Sequence, residues 1–273
     1  ALSRDAFFAG IAEVSVRLTG VNSTARLNGQ AELKNSSVAA FVGSERLTLE
    51  RVNGRILFTS NQAQIQNLSG FLGGGRVTAS GGALLEGLQL QQFRFDLNGN
   101  DITAPLPPDF VTTGDASIQL TGFRENGEIN SLIAGTIRAK RSVYTKEIDL
   151  ADVLSGRSRD SLSEGGDSGS SFLGIPKLDI QIEGRDALTV RNNIADLTAS
   201  VSLRFTGDVD FPQIAGRISA SSGTVFFRND RYEVQRGVLV FPPNTSIEPY
   251  INLQAEYRFG LSDIGADRTQ YGG

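Results

Sequence analysis

The side chains that most often perform catalysis are absent from this chain. Its 273 residues include no His, no Cys, no Met and no Trp. Zinc centres, Ser-His-Asp triads, thiolate nucleophiles and imidazole bases are therefore excluded in their usual forms, and no disulfide framework can form. Carboxylate, Lys, Tyr, Ser and Thr chemistry is what remains. Asp208 and Asp210 flank Val209 and could face a cation, but a pair of acids before a turn is more often solvated. Asp96 and Asp101 have no evident partner set in the sequence. The run Gly73-Gly74-Gly75 lacks the Gly-Lys-Ser/Thr of a phosphate loop and signals no helix after it. No pair of carboxylates stands in a recognisable glycosidase setting. The sequence predicts no enzyme, no metal and no cofactor.

The elements that hold these residues explain the lack of a reactive cluster. A net charge of −4 and the absence of a basic stripe argue against nucleic acid. No apolar run approaches the roughly 18 to 20 residues of a membrane-spanning helix. What dominates is alternation. Leu197, Ala199, Val201, Leu203 and Phe205 are apolar, and Asp196, Thr198, Ser200, Ser202, Arg204 and Thr206 between them are polar. Successive side chains of a strand point to opposite faces, so this pattern predicts a sheet with one apolar and one wet face. The same rule governs Ala12 to Leu18, Phe93 to Leu97, Ile118 to Leu120, Leu178 to Ile182 and Ile251 to Phe259.

Glycines punctuate these runs, and Asn28-Gly29, Asn53-Gly54 and Asn98-Gly99 read as type I′ hairpin turns. The chain is thus expected to be a meander of antiparallel strands. Ser3 to Ile11 reads as a short helix or a ragged strand, and Glu147 to Leu154 as about two helical turns. The Gly-, Ser- and charge-rich stretch Ser155 to Ser171 is expected to be a disordered loop, because it has little apolar surface to offset its ordering entropy. It separates residues 1–154 from residues 172–273, whose common strand grammar predicts one continuous sheet. The alternation starts and stops in mid-pattern, which predicts a segment of a longer chain.

Residues 207–241 carry a more specific signal. The stretch GDVDFPQIAGRISASSGTVFFRNDRYEVQRGVLVF combines spaced Gly and Pro, a Gly-Thr-Val step and an aromatic-flanked hairpin ending in Phe. It resembles the C-terminal conserved region of the TamB family, the inner-membrane subunit of the translocation and assembly module, within the wider AsmA-like group. Gly73 to Gly81, Gly135 to Ala139 before Tyr144, and Ala187 to Asn193 fit elements of the same family. The motif-grade match spans about residues 172–260.

The resemblance implies an all-β protein: a long antiparallel curved sheet folded on itself like a taco shell, an open β-groove with an apolar interior. It implies a periplasm-spanning segment of a protein anchored in the inner membrane by a part outside this chain. It further implies phospholipid transport between the membranes, outer-membrane protein assembly and secretion, or both. The implied partners are phospholipid acyl chains or unfolded β-strand cargo, with a TamA- or BamA-like outer-membrane barrel met through regions outside the segment. Residues 1–154 would form AsmA/TamB-like sheet repeats, and residues 172–273 the conserved C-terminal β-domain.

The positions expected to line such a groove are the alternating apolar ones: Leu178, Ile180, Ile182, Leu197, Val201, Leu203, Phe205, Ile218, Val234, Ile251, Leu253, Tyr257 and Phe259. A sheet with one apolar face must cover it with another layer, with itself or with a ligand. The same residues would serve equally as the closed core of a β-sandwich or of a structural, adhesin-like β-solenoid. An outer-membrane barrel fits less well, because Trp is absent, Tyr is scarce and many alternating runs look shorter than the roughly nine to eleven residues of a spanning strand. Phe226, Phe227 and Tyr232 read as an aromatic cluster packing within a hairpin.

Overall fold

Alternation with few breakers dictates strands, and strands form wherever it runs. The computed structural model describes residues 6–42, 45–105, 109–148, 175–209, 211–227, 230–243 and 249–257. Thirteen strands follow one another: β1 (Ala6–Thr19), β2 (Arg26–Val42), β3 (Glu45–Ser60), β4 (Gln62–Leu72), β5 (Gly75–Glu86), β6 (Gln89–Ala104), β7 (Phe110–Glu125), β8 (Glu128–Tyr144), β9 (Lys177–Arg191), β10 (Ala195–Asp208), β11 (Phe211–Phe227), β12 (Asp230–Phe241) and β13 (Tyr250–Tyr257). A single 3-10 turn, Asn22–Thr24, is the one helical element among the described residues.

All thirteen strands belong to one sheet, and their order in it is their order in the chain. The sheet is open and curved: β1 and β13 are its two edges and do not pair with each other. This disposes of the barrel. A β-solenoid would stack parallel coils, whereas every neighbouring pair here is antiparallel except β8 with β9.

That parallel pair departs from the antiparallel meander expected from the sequence. Parallel neighbours need a crossover of a dozen or more residues, and residues 145–176 supply it. The expected disordered loop at Ser155 to Ser171 lies outside the described residues. So does most of the expected helix at Glu147 to Leu154, whose first residues, Glu147 and Ile148, are not helical. Ser3 to Ile11, read as helix or ragged strand, is strand from Ala6 onward, with a break in the ladder between Ala9 and Ile11.

The strands are also longer than the sequence pattern suggested, up to 17 residues in β2, β8 and β11. The reason is a series of β-bulges. The ladder slips between Leu33 and Ser36, Glu50 and Asn53, Ile65 and Leu68, and Gly99 and Ile102. Asn35, Arg51, Asn67 and Asp101 sit at these slips with positive φ. An extra residue shifts the apolar phase by one, and the bulge absorbs it so that the same face stays apolar. Read without bulges, each slip looks like the end of a short strand.

Bulges and close strand approach also account for the misplaced turns. Asn28-Gly29, Asn53-Gly54 and Asn98-Gly99 all lie inside strands. Gly29 faces Val16 across the β1–β2 ladder with φ +141°, and a Cβ there would come within 2.8 Å of the Val16 Cα. The glycine is required by that approach and not by a turn. The two-residue turns fall elsewhere: Asn126-Gly127, with φ +52° and +90°, joins β7 to β8, and Gly73-Gly74 joins β4 to β5. Both have the double positive φ of a type I′ turn. A strand, and no helix, follows Gly73-Gly74-Gly75.

Candidate cargo-binding face

Residues paired across a ladder share a face, so the register alone assigns every strand position to one side of the sheet. Followed from strand to strand, Leu68, Ala79, Leu97, Ile118, Gly135, Ile180, Phe205 and Ile214 form one row from β4 to β11. The next row runs Val77, Gly99, Ala116, Ile137, Ile182, Leu203, Gly216 and Phe241. Beside it lie Gly184, Val201, Ile218, Leu239 and Ile251. The opposite face reads Thr78, Asn98, Ser117, Thr136, Gln181 and Arg204.

The expected groove positions therefore come together on one surface. Leu178, Ile180, Ile182, Leu197, Val201, Leu203, Phe205, Ile218, Val234, Ile251, Leu253 and Tyr257 all lie on the apolar face, Val234 through its pairing with Ala255 and Tyr257 through Tyr232. Phe259 lies outside the described residues. The same face continues through Val14, Leu33, Ile56, Phe93, Leu120 and Ile133. Alternation was visible at several of these N-terminal positions, but the groove reading did not extend to them.

This face is not sealed. Phe93, Leu90, Ile180, Leu188 and Ala199 are buried, but Ile251 is 68 % and Leu253 49 % exposed, and most of the other groove positions are half-buried. Several of its polar groups have partners. Ser36 Oγ donates to the Ile11 carbonyl at 3.0 Å, and the Thr112 and Ser142 hydroxyls meet at 2.8 Å. Arg124, near the end of β7, donates through Nε to the Leu90 carbonyl at 2.9 Å and bonds the Gly127 carbonyl as well.

Charge is instead paired on the wet face. Lys140 reaches both Asp101 and Asp115 at 2.6 Å, and the Asp101 backbone N–H donates to Asp115 Oδ1 at 3.0 Å. Asp101, partnerless in the sequence reading, thus has Lys140 from two strands away. The Lys140 ammonium holds the Asp115 carboxyl below its ordinary value, and the Asp101 N–H adds to the shift. Arg204 grips Asp179 with two hydrogen bonds and lowers its pKa in the same way. Lys34 joins Glu13 at 2.9 Å. Asp96 accepts from Gln119 Nε2 at 2.7 Å. Asp210 lies outside the described residues, and no group of acidic side chains that could hold a metal ion occurs among the described ones. Of the aromatic cluster, Tyr232 packs on Tyr257 with centroids 5.5 Å apart, and Arg231 lies over Phe226.

Among the described residues this face offers a broad apolar surface, aliphatic and aromatic, with few polar side chains on it. Compared with known protein families, residues 61–264 match the TamB C-terminal domain. No curated protein and no solved structure matches the chain.

Proposed function

The chain belongs to the TamB C-terminal domain family, a transport-related family that spans the periplasm from an inner-membrane anchor, and from that premise we propose that its apolar face shields hydrophobic cargo on the way across the periplasm. The cargo in this reading is the acyl chains of phospholipids, with unfolded outer-membrane β-strands as the second class. The observation that supports it is the mostly apolar face, partly open to solvent, whose register continues from strand to strand across the sheet. At about 4.8 Å between strands, twelve spacings give a path of about 60 Å.

An acyl chain suits such a path. Each methylene removed from water contributes about 0.8 kcal/mol, so a partly covered tail of several methylenes stays on the face. Neighbouring rows present nearly the same Val, Leu, Ile and Gly surface, so moving a tail by one strand exchanges like contacts for like contacts. The barrier to sliding is accordingly small. The charged headgroup needs no matching site, because it remains in water beside the sheet. Catalysis has no role in this reading: the chain has no imidazole or thiol, and its ion pairs lie on the wet face, away from the cargo.

Purification of the chain without detergent, followed by extraction and mass spectrometry, tests the proposal. Phospholipid should co-purify, and Leu203→Arg should abolish it while the strand signal in circular dichroism persists. A lipid-free wild-type preparation would count against the lipid reading.

A further inference from the structure

Bending of the strands is concentrated near one row of the sheet. The pairing slips there in every ladder except β5–β6 and β11–β12. Gly99, Gly114, Ala139, Gly184, Ala199 and Gly237 mark the row from β6 to β12. Residues three apart in a regular strand point to opposite faces and stand about 10 Å apart. Across this row they meet on the apolar face. A Cβ on Gly184 would lie 2.7 Å from the Ala187 Cβ, one on Gly99 3.0 Å from Ile102 Cγ2, and one on Gly237 3.6 Å from Val234 Cγ1. At these three places the strand bends sharply with the apolar face on the inside, so the row is a crease that divides the sheet into two flanks.

The same polar tie spans this crease three times. Asn35, Asp101 and Asp186 have φ of +44°, +53° and +48°, and each is the extra residue that a bulge leaves unpaired. The backbone N–H of each donates instead to a side-chain oxygen of the following strand: Asn53 Oδ1 at 3.0 Å, Asp115 Oδ1 at 3.0 Å and Ser200 Oγ at 2.9 Å. A second bond closes each tie. Asn53 Nδ2 donates to the Arg51 carbonyl at 2.8 Å, Lys140 bridges Asp101 and Asp115, and the Ser200 hydroxyl donates to Asp186 Oδ1 at 3.2 Å.

We propose that these side-chain ties act as a hinge lock: they set the angle at which the two flanks meet, and with it the width of the groove. The backbone ladder resists bending only where it is continuous, and at the crease it is interrupted. What spans the interruption is the ties. Each fixes a residue in a left-handed conformation that a side chain other than Gly adopts at a cost, so losing the tie frees that residue to relax toward an extended strand and lets the flanks splay. The inference goes beyond carriage, because it holds whatever the groove takes up.

The test is a distance measured across the crease. The chain has no Cys, so spin labels on Lys177→Cys and Arg191→Cys, exposed positions on β9 either side of Asp186, are the only ones present in the full 273-residue protein. Fourteen residues of straight strand would separate them by about 46 Å. Pulsed electron–electron resonance should give one narrow distance well below that value. Ser200→Ala should shift the distribution to longer distances and broaden it, with the strand signal in circular dichroism retained. Ser200→Thr, which keeps the hydroxyl, and Ser202→Ala, on the same face but outside the tie, should leave it unchanged. Asp186→Gly, which accommodates the positive φ and removes the carboxylate, cuts the tie from the other strand and should act like Ser200→Ala. An unchanged distribution in Ser200→Ala and Asp186→Gly, or an equal shift in Ser202→Ala, would overturn the lock.

Discussion

Phe93 and Gly122 are register partners across β6 and β7, and the Phe93 ring fills the space that a Cβ on Gly122 would occupy. Phe93 is 2 % exposed, although it sits on a face that is otherwise half open. The missing side chain on one strand is what makes room for the ring on the next. Burial at this point of the single layer thus comes from glycine–aromatic pairing within the sheet.

That relationship is testable by substitution. Gly122→Ala should displace the ring and destabilise the chain by about 1–3 kcal/mol, the usual cost of overpacking. Phe93→Ala should cost about 3–5 kcal/mol if its burial is as complete as that of a core residue. Because the two side chains compete for one space, the Gly122→Ala penalty should largely vanish in the Phe93→Ala background. Urea denaturation of the four proteins measures the coupling.

A second prediction concerns the crossover. The Asn193 side chain donates to the Ile148 carbonyl at 2.8 Å and accepts from its N–H at 2.9 Å, while Asn192 Nδ2 donates to the Lys146 carbonyl at 3.0 Å. Two amides thereby stand in for a strand and fix where the chain leaves β8. Asn193→Ala should cost about 1–3 kcal/mol for two hydrogen bonds at roughly 0.5–1.5 each. It should also raise amide exchange at residues 146–148 without affecting β1 or β2; unchanged protection at residues 146–148 in the variant would argue against the clamp.

Stability should respond to pH only outside the neutral range. Asp115 and Asp179 have lowered pKa values, so their contribution is present above the unfolded value of 3.8 and is lost as pH falls through the lower folded values. Lys34, Lys140 and Lys146 are raised, so theirs is complete below 10.5 and fades as pH climbs through the folded values. With no histidine to titrate, the denaturation midpoint should be flat from about pH 5 to 8. Lys140→Met should reduce the acid-side decline, and a step near pH 6.5 in the wild type would contradict this assignment.

Much of this fold is legible from residue order. Leu197 to Phe205 alternate cleanly, and the face they predict is the one they occupy. The N-terminal strands were harder to read because bulges at Asn35, Arg51 and Asn67 shift the phase, so period-two reasoning cut long strands into short ones. Asn28-Gly29 has the signature of a turn, yet its glycine answers to a close approach by a strand remote in the sequence. Asn126-Gly127, a true turn, carries the same dipeptide. The difference lies in pairing partners, which local sequence does not encode. The parallel β8–β9 step and the Asp101–Lys140–Asp115 cluster likewise depend on contacts between strands far apart in the chain.

Placing a polar group on the open face should separate folding from carriage. Leu253, half exposed at the β13 edge, should tolerate Arg with a loss of at most about 1 kcal/mol, while lipid recovery falls. Val201, further inside the sheet, should show a larger stability loss. If Leu253→Arg unfolds the chain, the apolar residues there serve a closed core.

The central claim, that cargo lies against one face of the sheet, is tested most directly by neighbouring residues that point opposite ways. A photo-crosslinker at Leu203 and another at Ser202, adjacent on β10 but on opposite faces, can be compared in cells that express the full-length protein. The account predicts phospholipid adducts at Leu203 and none above background at Ser202. Equal labelling at the two positions, or labelling at Ser202 alone, would contradict it.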